Sequence, residues 1–136
     1  RTGRYAEALR ELRTVRRLNG SDEHLPLMAD CERGLGRPER AIALASDDIA
    51  RALPPELQVE LAIVVSGARL DLDEAEAAVA VLSTPTARAS QGELRLRVAQ
   101  ALVVALRAAG REDQAAALER TLPAEVDAED EVLVYD

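Results

Sequence analysis

Apolar side chains recur at helical spacing along most of the chain. Ala8, Leu9, Leu12 and Val15 share one face of a first stretch, and Ala41, Ile42, Ala45, Ile49 and Ala52 share one face of another. Steps of three and four residues place such positions in one stripe of a 3.6-residue helix. The pattern predicts seven helices, at about residues 4–18, 23–34, 38–52, 55–69, 72–82, 92–109 and 112–122. Breaks fall at Asn19-Gly20, Gly34–Arg37, Pro54-Pro55, Leu70-Asp71, Ser83–Gln91 and Gly110-Arg111, where Gly, Pro and Ser/Thr clusters interrupt the stripe. Residues 1–122 read as one all-α domain and residues 123–136 as an acidic C-terminal tail.

The stretches are copies of one another. Gly3-Arg4-Tyr5-Ala6-Glu7-Ala8-Leu9 returns 33 residues later as Gly36-Arg37-Pro38-Glu39-Arg40-Ala41-Ile42. Aligning Ala75 with Ala41 gives a step of 34, and Gly110-Arg111 then places Ala115 a further 40 residues on. The six extra residues of that last step are assigned to the Ser/Thr/Pro-rich stretch 83–90. Each copy has the same logic: a Gly ends one helix in a left-handed turn, and a second helix starts two or three residues later. Pro38 suits a first helical position, and the Ala five places after the Gly lets two helices approach closely.

Composition supports helix and removes several functions. Ala (26), Leu (20) and Arg (17, with no Lys) dominate, and all three are strong helix formers. Tyr5 and Tyr135 are the sole aromatics, which argues against a β-sandwich or barrel. A net charge of −8 disfavours nucleic acid and anionic membranes. No apolar stretch approaches the roughly 18–20 residues that span a bilayer, so a cytoplasmic location and no membrane partner are expected. The chain opens on Arg1 rather than Met and is read as part of a longer protein.

The repeat length and the Gly-Arg-Tyr-x-Glu-Ala-Leu stretch at residues 3–9 resemble the tetratricopeptide repeat, a helix–turn–helix unit of about 34 residues. The resemblance covers residues 1–122. Copy one begins midway, copy two keeps Ala29 and the Gly36 turn but has Leu25 where the family prefers Trp, and copy three has Leu70 at the turn glycine. Copy four carries Ala99, Leu102 and Leu106 at first-helix places. The resemblance implies a TPR-like α-solenoid, a right-handed superhelix of antiparallel helix pairs with three full pairs and one leading half. The Arg-rich, Lys-free composition has the style of a high-GC, actinobacterial genome.

In this family the first helix of each pair lines a concave groove that accepts peptides. Carried over by register, that groove takes Glu23, Pro26, Asp30 and Arg33 from copy two, and Leu57, Glu60 and Val64 from copy three. Copy four supplies Arg97, Gln100, Val104 and Arg107. Family members that clamp a peptide's C-terminal carboxylate carry Lys and Asn at two of these places. Here the places hold Pro26 and Asp30, Glu60 and Val64, and Gln100 and Val104, so a carboxylate clamp is not expected. Arg33, Arg97 and Arg107 leave room for an acidic or phosphorylated ligand.

Catalytic chemistry has little to work with. His24 is the one imidazole, beside Asp22 and Glu23, and reads as a helix-end contact. Cys31 falls in the apolar pattern with Leu27 and Met28 and reads as a small core hydrophobe. Gly34-Leu35-Gly36 lacks the preceding strand and third glycine of a dinucleotide loop. The acidic clusters lack the ligand spacing of an EF-hand. No cofactor and no metal are expected, and the chain is read as a non-enzyme.

Charge is distributed unevenly. Residues 1–20 carry six Arg against two Glu, with Arg10, Arg13 and Arg17 on one helix face, whereas residues 119–136 carry seven acids against one Arg. The arginine face offers guanidinium forks to an acidic partner or to the acidic tail. The first helix, missing its partner in the repeat scheme, is expected to leave Leu9, Leu12 and Val15 partly bare and to offer a homodimer surface. The expected function is protein or peptide binding as a scaffold or adaptor. The alternative is a sensory or regulatory repeat domain of a larger bacterial regulator.

Overall fold

The computed structural model describes residues 2–46 and 48–123, with the side chain of Thr2 excepted. Helices are the regular secondary structure of those residues, with no strand among them. Nine helices follow in order: α1 (Thr2–Asn19), α2 (Leu25–Gly34), α3 (Pro38–Ala45), α4 (Asp48–Arg51), α5 (Pro55–Asp71), α6 (Ala75–Val81), α7 (Pro85–Arg88), α8 (Gly92–Ala108) and α9 (Glu112–Glu119).

Nine replaces the expected seven for two local reasons. The stretch 38–52 divides into α3 and α4, because α3 stops at Ser46, whose hydroxyl donates to the Ile42 carbonyl and so competes with the backbone ladder. The stretch 83–91, expected as an open loop, contains α7. Thr84 caps it, accepting the Ala87 N–H at 3.2 Å, with Pro85 in the first turn. The expected tail beyond Pro123 lies outside the described residues.

The helices recur with one constant shift. Pro55–Asp71 returns as Gly92–Ala108, Asp48–Arg51 as Pro85–Arg88, and Pro38, Ala75 and Glu112 open α3, α6 and α9, each 37 residues after the last. The turns before those helices share one closing hydrogen bond. Arg37 N–H donates to the Glu32 carbonyl, Glu74 N–H to Arg69 and Arg111 N–H to Leu106, at 2.8–2.9 Å. In each, the residue before the donor has positive φ: Gly36 at 77°, Asp73 at 61° and Gly110 at 78°. This is a Schellman closure, which satisfies the last carbonyls of a helix through one left-handed residue.

The turn in the middle copy is therefore at Asp73, and the expected alignment of Ala75 with Ala41 is corrected. Ala78 is the equivalent of Ala41 and Ala115, and all three have no exposed surface. Ala75 is half-buried. The steps are 37 and 37 rather than 34 and 40, and no lengthened loop is needed.

Packing follows the chain order. α1 rests on α2, α2 on α3 and α5, α5 on α6 and α8, and α8 on α9. Leu9, Leu25, Met28, Ala29, Leu61, Val65 and Ala68 fill the first part of the core. Val59, Leu82, Ala87 and Val98 join the α5 and α8 copies, and Val79, Val103, Leu106 and Ala115 fill the last part. A buried Ser66 hydroxyl donates to the Ala78 carbonyl at 3.1 Å and ties α5 to α6. On α1, of the face expected to be partly bare, Leu9 is fully buried against α2 and Leu12 packs half-buried on the same core. Val15 (36% exposed) and Leu18 (80%) remain open.

Candidate functional site: a groove across α2, α5 and α8

Repetition places equivalent positions of α2, α5 and α8 side by side. They form a groove of about 340 Å³ whose walls include Glu23, Pro26, Asp30 and Arg33, then Leu57, Glu60 and Val64, then Arg97. Eight of the residues expected at a groove thus lie together. His24, Leu27 and Ile63 line it as well and lie outside the expected set. Ile63 is the true equivalent of Pro26 under the 37-residue step, and Gly67, not Val64, is the equivalent of Asp30.

The remaining expected residues lie elsewhere. Gln100 and Val104 are exposed further along α8, outside this groove. Arg107 donates from Nε and Nη2 to both oxygens of Glu112, at 2.8 and 3.0 Å, and reaches Glu119 at 3.3 Å. Those bonds raise its pKa and hold the Glu112 carboxyl below its ordinary range. On α1, Arg13 is drawn to the buried Glu32 at 3.3 Å, which Arg37 also contacts at 2.7 Å. Arg10 and Arg17 stay exposed; Arg17 makes one long contact to the Thr14 hydroxyl at 3.5 Å.

Inside the groove the arginines are already engaged. Arg33 spans from α2 to α5 and grips the Asp71 carboxylate with Nε at 2.6 Å and Nη2 at 3.3 Å. Its guanidinium passes so close to Gly67 that a Cβ there would lie 2.6 Å from Cζ. The hydrogen bond to Asp71 is the main reason its pKa is raised. Arg97 donates to Glu60 at 3.0 Å, linking the same position of α5 and α8. Asp30 lies within Coulombic range of Arg33 but receives none of its N–H bonds, and its side chain makes no hydrogen bond or ion pair among the described residues.

Asp30 and Arg33 also line a second, adjoining open cavity of about 590 Å³, together with Tyr5, Glu39 and Asp71. Leu27, half exposed, and the partly buried Leu57, Ile63 and Val64 give the first groove an apolar floor. Cys31 is buried, and burial raises its thiol pKa, so it behaves as the core hydrophobe expected. Among the described residues no group of three or more His, Cys, Asp or Glu is placed to hold a metal ion, and no helix is long and apolar enough to cross a membrane. No protein-family model, curated protein or solved structure matches the chain.

Proposed function

We propose that the chain is a non-catalytic protein-interaction module, a TPR-like solenoid of antiparallel helix pairs whose longer helices present a peptide groove. One observation carries this reading: equivalent positions of α2, α5 and α8 converge on one open, mixed apolar and charged groove. Rigid helices offer such a surface with little ordering cost on binding, which suits recognition of an extended segment. In this reading His24, with Glu23 at 3.4 Å, is a helix-end contact and the buried Cys31 a core residue.

The test is photo-crosslinking in the source cells. Benzoylphenylalanine at Leu27 or Val64, in the groove, should capture a discrete protein, while the same group at the exposed Arg40 or Ala43 of α3 should not. Equal capture at all four positions, or capture at α3 alone, overturns the groove as the binding face.

A further inference from the structure

We infer that the groove selects a basic segment, with Asp30 as the acceptor that reads its cationic side chain; this rests on the peptide-groove reading above. The charges in the groove are not equivalent once their partners are counted. Arg33 is cancelled by Asp71 in a two-point contact, and Arg97 by Glu60. Among the described residues no arginine donates to Asp30 or Glu23. An acidic or phosphorylated ligand would first have to displace a carboxylate from one of the two arginines. A basic one meets an acceptor whose lone pairs are unspent, with the carboxylates of Glu60 and Asp71 close by.

Placement strengthens the assignment. Asp30 is exposed on α2, one helical turn before Arg33, and lines both the 340 Å³ groove and the 590 Å³ cavity next to it. The position is charged once per molecule: its equivalents in the next two copies are Gly67 and Val104. A guanidinium or ammonium seated at Asp30 leaves the neighbouring residues of an extended segment over Leu27, Leu57, Ile63 and Val64. The ligand chemistry is therefore one Arg or Lys flanked by apolar side chains. Arg33 takes no part in contacting it; held by Asp71, it forms the ridge between the two cavities.

The experiment is selection of random twelve-residue peptides displayed on phage against the 136-residue chain, followed by fluorescence-polarisation titration of the selected peptides. Asp30→Asn and Leu57→Glu are measured alongside, with circular dichroism confirming that each remains folded. The expected result is enrichment of Arg or Lys beside Leu, Ile or Val, with affinity falling about tenfold in Asp30→Asn and being lost in Leu57→Glu. Enriched peptides that bind through Leu57 but are acidic or neutral, or are indifferent to Asp30→Asn, overturn the basic-segment assignment and leave the peptide groove standing. Absence of any peptide sensitive to Leu57→Glu overturns both.

Discussion

The Arg33 guanidinium holds Asp71 with two hydrogen bonds across the joint between α2 and α5, lying over the bare backbone of Gly67. Both side chains are more than a third exposed, so solvent screening leaves the pair worth about 0.5–1 kcal/mol. Gly67→Ala pushes the guanidinium aside, since the new Cβ would occupy its place. The helix gains about 1 kcal/mol of propensity from the same change. Stability should therefore stay nearly constant, while the Arg33–Asp71 coupling disappears. A double-mutant cycle with Arg33→Met and Asp71→Asn, read by urea unfolding with and without Gly67→Ala, checks this. Coupling that is undiminished once Gly67→Ala is present would show that the arginine does not depend on the glycine.

Asp73 takes the left-handed conformation that Gly36 and Gly110 take in the neighbouring copies. A non-glycine residue there costs about 1–2 kcal/mol, part of which a glycine returns through its freer unfolded state. Asp73→Gly should raise stability by about 0.5–1 kcal/mol, and Gly36→Ala should lower it by about 1 kcal/mol. Both are read from the urea midpoint at constant slope. A destabilised Asp73→Gly would mean the aspartate side chain supports the turn.

That one residue explains most of what the sequence concealed. The Gly-Arg turns at 36 and 110 are legible because glycine marks a left-handed helix end. At Asp73 the same backbone is reached by a residue more familiar from helix starts, and the repeat slips by one helical turn when Ala75 is taken for Ala78. Three residues is close to the roughly 3.6 of a helical turn, so the slip moves the groove residues along the helix face without leaving it. That is why Glu60 and Val64 lie at the groove although Ile63 and Gly67 are the equivalents of Pro26 and Asp30. What no spacing reveals is which arginines are already paired, since Arg33 and Asp71 are 38 residues apart.

Glu32 is the one charged side chain buried among the described core residues, and it joins three elements. Its Oε2 accepts from Arg13 of α1 and its Oε1 from Arg37, the residue preceding α3. α1 otherwise rests on α2 through Leu9, Leu12 and the close contact of the Tyr5 ring with Gly34. Glu32→Gln removes the charge while keeping the shape, and both arginines can turn to water. The cost should be about 1–2 kcal/mol, concentrated in α1. Amide hydrogen exchange should show α1 losing protection well before α5 and α8. Uniform loss along the chain would mean that α1 is not a separately opening unit.

Glu112 provides a pH test. Its carboxyl pKa is lowered chiefly by the hydrogen bonds from Arg107. A carboxyl whose pKa falls on folding favours the native state above its unfolded value, and that contribution is lost as pH drops through the native one. The group is on the surface, so the readout is its own titration rather than the melt. Carbon-detected NMR should place the Glu112 midpoint below the ordinary glutamate value, and Arg107→Gln should return it to the ordinary range. A midpoint unmoved by Arg107→Gln would remove the ion pair as its cause.

The repeat length itself is open to a direct test through four alanines. Ala41, Ala78 and Ala115 stand five residues after the three left-handed turns and have no exposed surface. Leucine at any of them adds three heavy atoms where no space remains, which costs about 1–3 kcal/mol through displaced side chains and backbone. Ala75, the equivalent position under a 34-residue step, is half-buried at the first residue of α6. There Ala75→Leu should change stability by less than about 0.5 kcal/mol. Thermal melts of the four variants therefore separate the two registers. A costly Ala75→Leu beside a neutral Ala78→Leu would restore the 34-residue alignment, and with it Glu60 and Val64 as the equivalents of Pro26 and Asp30.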